Sequence, residues 1–172
     1  MTAAIIGLLV IKFYPSKEVK HVKSTRSNPH VTLASPSPTP AVQAFPPRVI
    51  SIPAVDINLI VSPGKIVNNQ WTLYDDKVSW LATSQTPGHG NVILYGHNRP
   101  NVLGNLSKVQ IGQEIIIETR GQKYVYQIAE KRKVLPNEVD VIVSDKNQLT
   151  LYTCDGSFDQ RRLVVIAYPK AG

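Results

Sequence analysis

Three kinds of side chain here could together break and remake an acyl bond. They are the single cysteine, Cys154, a histidine at His97, and a guanidinium from the Arg161-Arg162 pair. A free thiol is only a few per cent thiolate at neutral pH. An imidazole beside it can hold that proton and later hand it to a leaving amine. Thiolate attack on an amide carbonyl puts negative charge on oxygen, and a permanently charged guanidinium is a suitable partner for it. Taken alone, a cysteine on a strand is more often a small buried apolar residue, so position has to decide.

Position favours chemistry. Cys154 closes the β-prone run Thr150-Leu151-Tyr152-Thr153 and is followed by the loop-like Asp155-Gly156-Ser157. His97 closes Val92-Ile93-Leu94-Tyr95-Gly96 and precedes Asn98-Arg99-Pro100. Arg161-Arg162 opens Leu163-Val164-Val165-Ile166-Ala167-Tyr168. Groups at strand-to-loop junctions combine a rigid support with access. Adjacent residues on a strand face opposite ways, so only one of the two arginines can share a cleft with the thiol, and counting does not choose between them.

The elements that must position these ends are mostly short strands. Arg48–Ile52 and Ile57–Val61 read as strands, and Pro63-Gly64 as a turn. The stretch from Trp71 to Leu81 has no clean period, and Trp80 reads as a core or wall residue. Thr86-Pro87-Gly88-His89-Gly90 is a turn whose glycines permit positive φ, leaving His89 solvent-exposed. Leu103–Leu106 suggests a turn of helix. Glu114–Glu118 and Tyr124–Ile128 form a hairpin about Arg120-Gly121-Gln122, with Gly121 easing the turn. The second strand continues through Lys131-Arg132-Lys133, a basic triplet suited to a solvated sheet edge. Asn137–Ile142 suggests one or two helical turns. Many short strands with frequent turn signals predict an all-β, mainly antiparallel barrel or sandwich with one or two short helices.

Composition sets the outer limits. The chain has 172 residues and thirteen prolines, seven of them before position 48. Five Lys/Arg and one Glu before Arg48 give +4, and fourteen Lys/Arg with eleven Asp/Glu from there on give +3. A mildly basic domain without zinc-finger spacing or a dense basic helix argues against nucleic-acid binding. One cysteine excludes an internal disulfide and a multi-cysteine metal site. Residues 1–14 contain an apolar run shorter than the roughly 20 residues of a spanning helix; they are read as an incomplete membrane anchor. The lysines after that run sit awkwardly with the positive-inside tendency. Residues 15–47, with Ser35-Pro36-Ser37-Pro38-Thr39-Pro40, read as an extended tether, and 48–172 as the folded domain. Asp75-Asp76 and Glu138/Asp140 read as surface acids, not a metal site.

At this point the residues reach a resemblance. Thr150-Leu151-Tyr152-Thr153-Cys154 followed by Arg162-Leu163-Val164-Val165 resembles the TLxTC…R signature of sortases. Gly88–His97 resembles the family strand that ends in Gly-His, and Leu103–Glu114 the segment after that histidine. The likeness spans Arg48 to Pro169. It implies an eight-stranded sortase-type β-barrel and a cysteine transpeptidase that cuts a C-terminal sorting signal of the LPxTG kind through a thioacyl intermediate. An amine, on a cell-wall precursor or a pilin, would then take the acyl group. On the same resemblance Cys154 is the nucleophile, His97 the acid/base and Arg162, with the apolar run starting directly after it, the arginine. Thr153 and Tyr95 are the candidate substrate-contacting residues. No cofactor is implied, and nothing in the sequence marks a calcium site. The partners implied are the sorting-signal peptide, the amine acceptor and, through the N-terminus, the cell membrane, with the domain on its extracytoplasmic face. The small single-domain members outside the best-known housekeeping group look most similar.

Rival readings remain at this stage. The acyl group could pass to water, making a thiol peptidase, or the barrel could be a binding module in which Cys154 only packs. A papain-like protease would need a helical half and a cysteine-first order that this chain lacks. A metal site from His89 and His97 fails on spacing.

Overall fold

The computed structural model describes residues 44–156 and 159–170. The expected anchor, and the tether up to residue 43, lie outside the described residues. Among the described residues no helix is long and apolar enough to cross a membrane. Ten strands follow in order: β1 Val49–Ile52, β2 Ile57–Gly64, β3 Ile66–Val67, β4 Gln70–Trp71, β5 Val78–Leu81, β6 Asn91–Gly96, β7 Glu114–Glu118, β8 Lys123–Val134, β9 Gln148–Asp155 and β10 Arg161–Pro169. Eight close into a barrel in the order β1-β2-β5-β6-β9-β10-β8-β7, and β3 and β4 make a separate two-stranded hairpin. Among the described residues, helix is limited to short 3-10 segments at Pro53–Val55, Gly104–Lys108 and Val139–Ile142.

Alternation decides what fills the barrel. Ile50 and Ile52, Val92 and Leu94, Ile115 and Ile117, Leu149 and Leu151, and Leu163 and Val165 all point inward and are buried. Each such side chain stabilises the fold by about 1.5–3 kcal/mol relative to exposure. Strands β6, β9 and β10 differ from the rest in being covered on both faces. Their outward residues Ile93, Tyr95, Tyr152, Val164 and Ile166 form a second cluster, against which Trp71, Leu81, Val134 and Val141 pack. Double burial explains why these three strands read as nearly continuous apolar runs.

Most pairings are antiparallel, but β2 with β5 and β6 with β9 are parallel. A parallel pair needs a crossover. The β2–β5 crossover carries the β3–β4 hairpin, and the β6–β9 crossover carries β7, β8 and the 3-10 turn Val139–Ile142.

Two local expectations are corrected. The basic triplet is not a free sheet edge, because β8 pairs with β10 as far as Val134↔Arg162 and the barrel closes. Lys131 Nζ instead donates to the carbonyls of Ser107 and Val109 at 2.7 and 2.9 Å, and Lys133 lies 2.8 Å from the Asp155 carboxylate. Gly121 is not among the positive-φ residues. The β7–β8 turn is held by Thr119, whose hydroxyl donates to the Gln122 carbonyl at 3.0 Å and accepts from the Gln122 N–H. Gly88 and Gly90 do take positive φ, at 85° and 139°, and His89 between them is exposed.

Gly64, the last residue of β2, lies beneath the outer cluster. A methyl group there would collide with the Tyr95 hydroxyl and meet Ser79 Cβ at 3.0 Å. Gly64→Ala is therefore expected to destabilise the domain by about 1–3 kcal/mol through overpacking, read as a lower midpoint in chemical denaturation. A midpoint equal to that of the natural chain would show that the Tyr95 tip moves aside freely.

Candidate active site

The parallel register of β6 and β9 builds the site. Tyr95 stands opposite Tyr152 and Gly96 opposite Thr153. The next step on each strand is His97 and Cys154. On the other side of β9, Arg162 stands opposite Cys154 and Arg161 opposite Asp155. Registered partners share a face and neighbouring strands run about 4.8 Å apart. Cys154 and Arg162 therefore lie side by side on the outer face of the barrel, continuing the line of Tyr152 and Val164. His97 follows β6 directly, one residue past the last registered pair, Gly96 and Thr153. The geometry also separates the arginines. Arg162 is half-buried in the groove, while Arg161 is exposed on the opposite face.

A groove of about 210 Å³ runs along this face. Tyr95, Gly96, Tyr152 and Thr153 form its floor, and Cys154 and Arg162 its end. One wall is Trp71 and Leu73 from the hairpin region, the other Pro136 and Val139 from the β8–β9 connection. That volume suits a few side chains of an extended peptide rather than a drug-sized ligand, whose pockets run from about 300 Å³ upward. His97 is half-exposed and is not part of the groove lining. Among the described residues no hydrogen bond joins its ring to the thiol. Its carbonyl accepts the Leu103 N–H at 3.0 Å, which closes the loop that carries it.

The two candidate substrate contacts are placed differently from each other. Thr153 is buried, and its hydroxyl donates to the Gly96 carbonyl at 2.8 Å. It fastens the ends of β6 and β9 together, one residue before the thiol. Tyr95 is 1% exposed. Its ring forms the groove floor, and its hydroxyl donates toward the Lys65 carbonyl at 3.4 Å. Thr150, also within the cysteine-bearing run, has a similar fastening role. It donates to Asn91 Oδ1 at 2.8 Å, and Asn91 Nδ2 donates to the Ile142 carbonyl at 2.7 Å. This buried chain ties the Pro136–Val139 wall to the barrel.

Electrostatics at the thiol are opposed. Burial pushes the Cys154 pKa up, the Arg162 charge pulls it down, and the nearby Asp159 carboxylate pushes it up again. The net direction is upward, so the resting group is mostly thiol at neutral pH. Asp159 also directs Arg162, since its carbonyl accepts from Nη1 at 2.7 Å, with the Arg161 carbonyl at 3.0 Å. The backbone of Asp159 is left-handed, with φ of 56°. Burial likewise raises the Tyr152 pKa, against the nearby Arg162 charge.

Sequence reasoning missed Trp71 and Asp159. The Asn68-Asn69 pair between Ile66-Val67 and Gln70-Trp71 was the available signal for the hairpin, since asparagine tolerates the left-handed region that a tight two-residue turn requires. Both asparagines take positive φ, 49° and 59°. Asp159 carries no signal beyond its distance from Cys154. One acid of each pair is otherwise engaged. Asp75 pairs with Arg99 at 2.6 Å, and Glu138 accepts the Leu135 N–H at 2.6 Å. Among the described residues no group of three His, Cys, Asp or Glu could hold a metal ion.

The family model for the Sortase domain matches residues 50–170. The chain is 28% identical over 131 residues to Sortase A of Streptococcus agalactiae serotype III (strain NEM316), covering 69% of this chain and 50% of that protein. It thus spans about half the length of that curated relative. Among solved structures, sortase A of Listeria monocytogenes superposes with a TM-score of 0.63 at 28% identity, covering 75% of this chain and 89% of that one. Sortase C1 of Streptococcus agalactiae gives 0.62 at 25% identity, covering 73% and 67%. The chain belongs to the sortase family, and its closed eight-stranded barrel is the fold of those structures.

The opposed charges at the thiol give a direct expectation. Alkylation of Cys154 by a small neutral reagent should rise with pH about a midpoint above that of a free thiol. Asp159→Asn removes an anion and should move that midpoint down, whereas Arg162→Ala removes a cation and should move it up. Coincident profiles for all three proteins would show that neither group acts on the sulfur.

Proposed function

We propose that this protein is a cysteine transpeptidase. It cleaves an LPxTG-like C-terminal sorting signal of secreted surface proteins and transfers the new carboxyl end to an amine on a cell-wall precursor or a pilin. The observation that carries the reading is the register of β9 with both neighbours, which sets Cys154 beside Arg162 on a peptide-sized groove and pairs the end of β9 with the end of the strand that His97 follows. A barrel that used its cysteine only for packing would not open that sulfur into a groove.

The chemistry follows from the residues. The signal lies along the groove with its scissile Thr-Gly carbonyl at the sulfur. Cys154 gives up its proton with His97 as acceptor, and the sulfur adds to the carbonyl carbon. The oxygen takes up the electron pair, and the Arg162 guanidinium faces that charge. Collapse re-forms the carbonyl and breaks the C–N bond, with the imidazolium protonating the departing glycine amine. The acyl group is now a thioester on Cys154. An acceptor amine adds to it, loses a proton to His97, and expels the sulfur, which completes one turnover without net change in the enzyme. The raised thiol pKa fits a nucleophile kept protonated until substrate fills the groove and excludes water.

The N-terminal segment completes the proposal. An apolar run followed by a proline-rich tether would hold the domain at the cell membrane, on its extracytoplasmic face, where secreted substrates emerge.

Purified protein incubated with sorting-signal peptides, with and without candidate amines, tests this by mass spectrometry. An acyl adduct on Cys154 and an amine-dependent ligated product are expected. Cys154→Ala and His97→Ala should each abolish transfer, Arg162→Ala should lower kcat/KM by about 10²–10³-fold, and Arg161→Ala should have a much smaller effect. Release of free acid only, whatever amine is supplied, would make the enzyme a peptidase. Absence of any Cys154 adduct would remove the proposal.

A further inference from the structure

The groove wall nearest the barrel floor is made by a hairpin that barrel closure does not require. Its one aromatic side chain, Trp71, is held from two directions. The indole stacks on Tyr152 at 5.3 Å between ring centroids and 12° between planes, and it meets Tyr95 edge-on at 4.8 Å and 85°. Trp71 itself is half-buried and lines the groove, while the two tyrosines beneath it are only 1% and 6% exposed. The indole therefore covers part of the tyrosine floor and narrows the groove beside it.

Neither wall is free to yield. The hairpin is closed by the two left-handed asparagines at its tip, and its base is bound by Ser79 Oγ donating to the Thr72 carbonyl at 2.6 Å and Tyr74 Oη to the Pro63 carbonyl at 2.8 Å. The opposite wall is fastened through the Asn91 bond to Ile142. A channel with two fixed walls and an aromatic floor selects by bulk. Apolar pockets of this kind separate side chains differing by a methylene by about 10–200-fold.

We propose that Trp71 is a specificity-determining residue, and that its indole sets the largest apolar side chain the groove accepts upstream of the scissile carbonyl. This rests on the acyl-transfer reading of the site. Removing the indole widens the groove over the Tyr95 and Tyr152 rings, so the limit moves toward larger side chains. The effect is a change of preference, which a purely packing role for Trp71 would not produce.

The test compares the natural chain with Trp71→Ala and Trp71→Phe, on two peptides in competition. One carries Leu-Pro-x-Thr-Gly, and the other is identical except for tryptophan in place of leucine. Mass spectrometry of the Cys154 adduct reads the ratio of kcat/KM values within each protein, which cancels differences in the amount of folded enzyme. The natural chain should favour leucine at least tenfold. Trp71→Ala should narrow that ratio at least fivefold through a lower KM for the bulky peptide, and Trp71→Phe should fall between. Should Trp71→Ala not fold, the phenylalanine variant alone decides by the same ratio. Ratios that agree within twofold in every folded variant overturn the proposal while leaving the acyl-transfer reading intact. No Cys154 adduct in the natural chain with either peptide removes both.

Discussion

The parallel pairing of β6 with β9 is the constraint on which the site depends. In an antiparallel barrel, neighbouring strands end at opposite rims. A parallel pair ends at the same rim, so Gly96 and Thr153, the residues just before His97 and Cys154, are brought abreast. Strand β10 then returns antiparallel to β9, and its first residues meet the last residues of β9 at that same rim. Two registers therefore do the gathering: β9 with β10 pairs the cysteine with the arginine, and β6 with β9 brings the end of the strand before His97 to the same rim. The Thr153 bond to the Gly96 carbonyl fixes the register one step before it matters. A slip of one residue would turn Cys154 into the barrel and Asp155 out of it.

The same three strands are buried on both faces, and that second covering makes the groove. Outward side chains of β6 and β9 must be shielded, and the hairpin and the β8–β9 connection shield them incompletely. What is left open between these covers is a channel floored by Tyr95 and Tyr152 and ending at the sulfur. Buried polar groups hold the covers in place. Asn91, Thr150 and Gln148 are nearly inaccessible, yet they bond to one another and to Ile142. Such a network rigidifies when every member is satisfied. Thr150 thus serves the site although it never reaches the groove.

Much of this was legible in the chain. The apolar runs ending in His97 and Cys154 are strands because β-branched and aromatic residues suit a pleated, buried surface, and their being apolar throughout foretold central positions. The hairpin about residues 119–122 followed from two alternating runs around a short polar turn. Other features could not be read so directly. The Trp71 hairpin has strands of two residues, too short for any period to register, and its turn uses asparagines without a glycine. The basic triplet on β8 looked like an edge because closure of a barrel depends on all eight strands together. Choosing between adjacent arginines needed either the family signature or the register. Asp159 depends on how a short loop folds back, which composition does not encode.

The most direct measurement of the central claim uses the fact that the chain has one cysteine. Replacing His97 by cysteine puts a second thiol directly after the end of β6, next to the strand that carries Cys154; neighbouring strands run about 4.8 Å apart, within the span a disulfide can bridge. Treatment of dilute His97→Cys protein with a mild thiol oxidant should yield a monomer lighter by two hydrogens, with no titratable thiol, and reversible by reductant. A monomer that keeps both thiols under those conditions, or that pairs only between molecules, would contradict the convergence of these two strand ends.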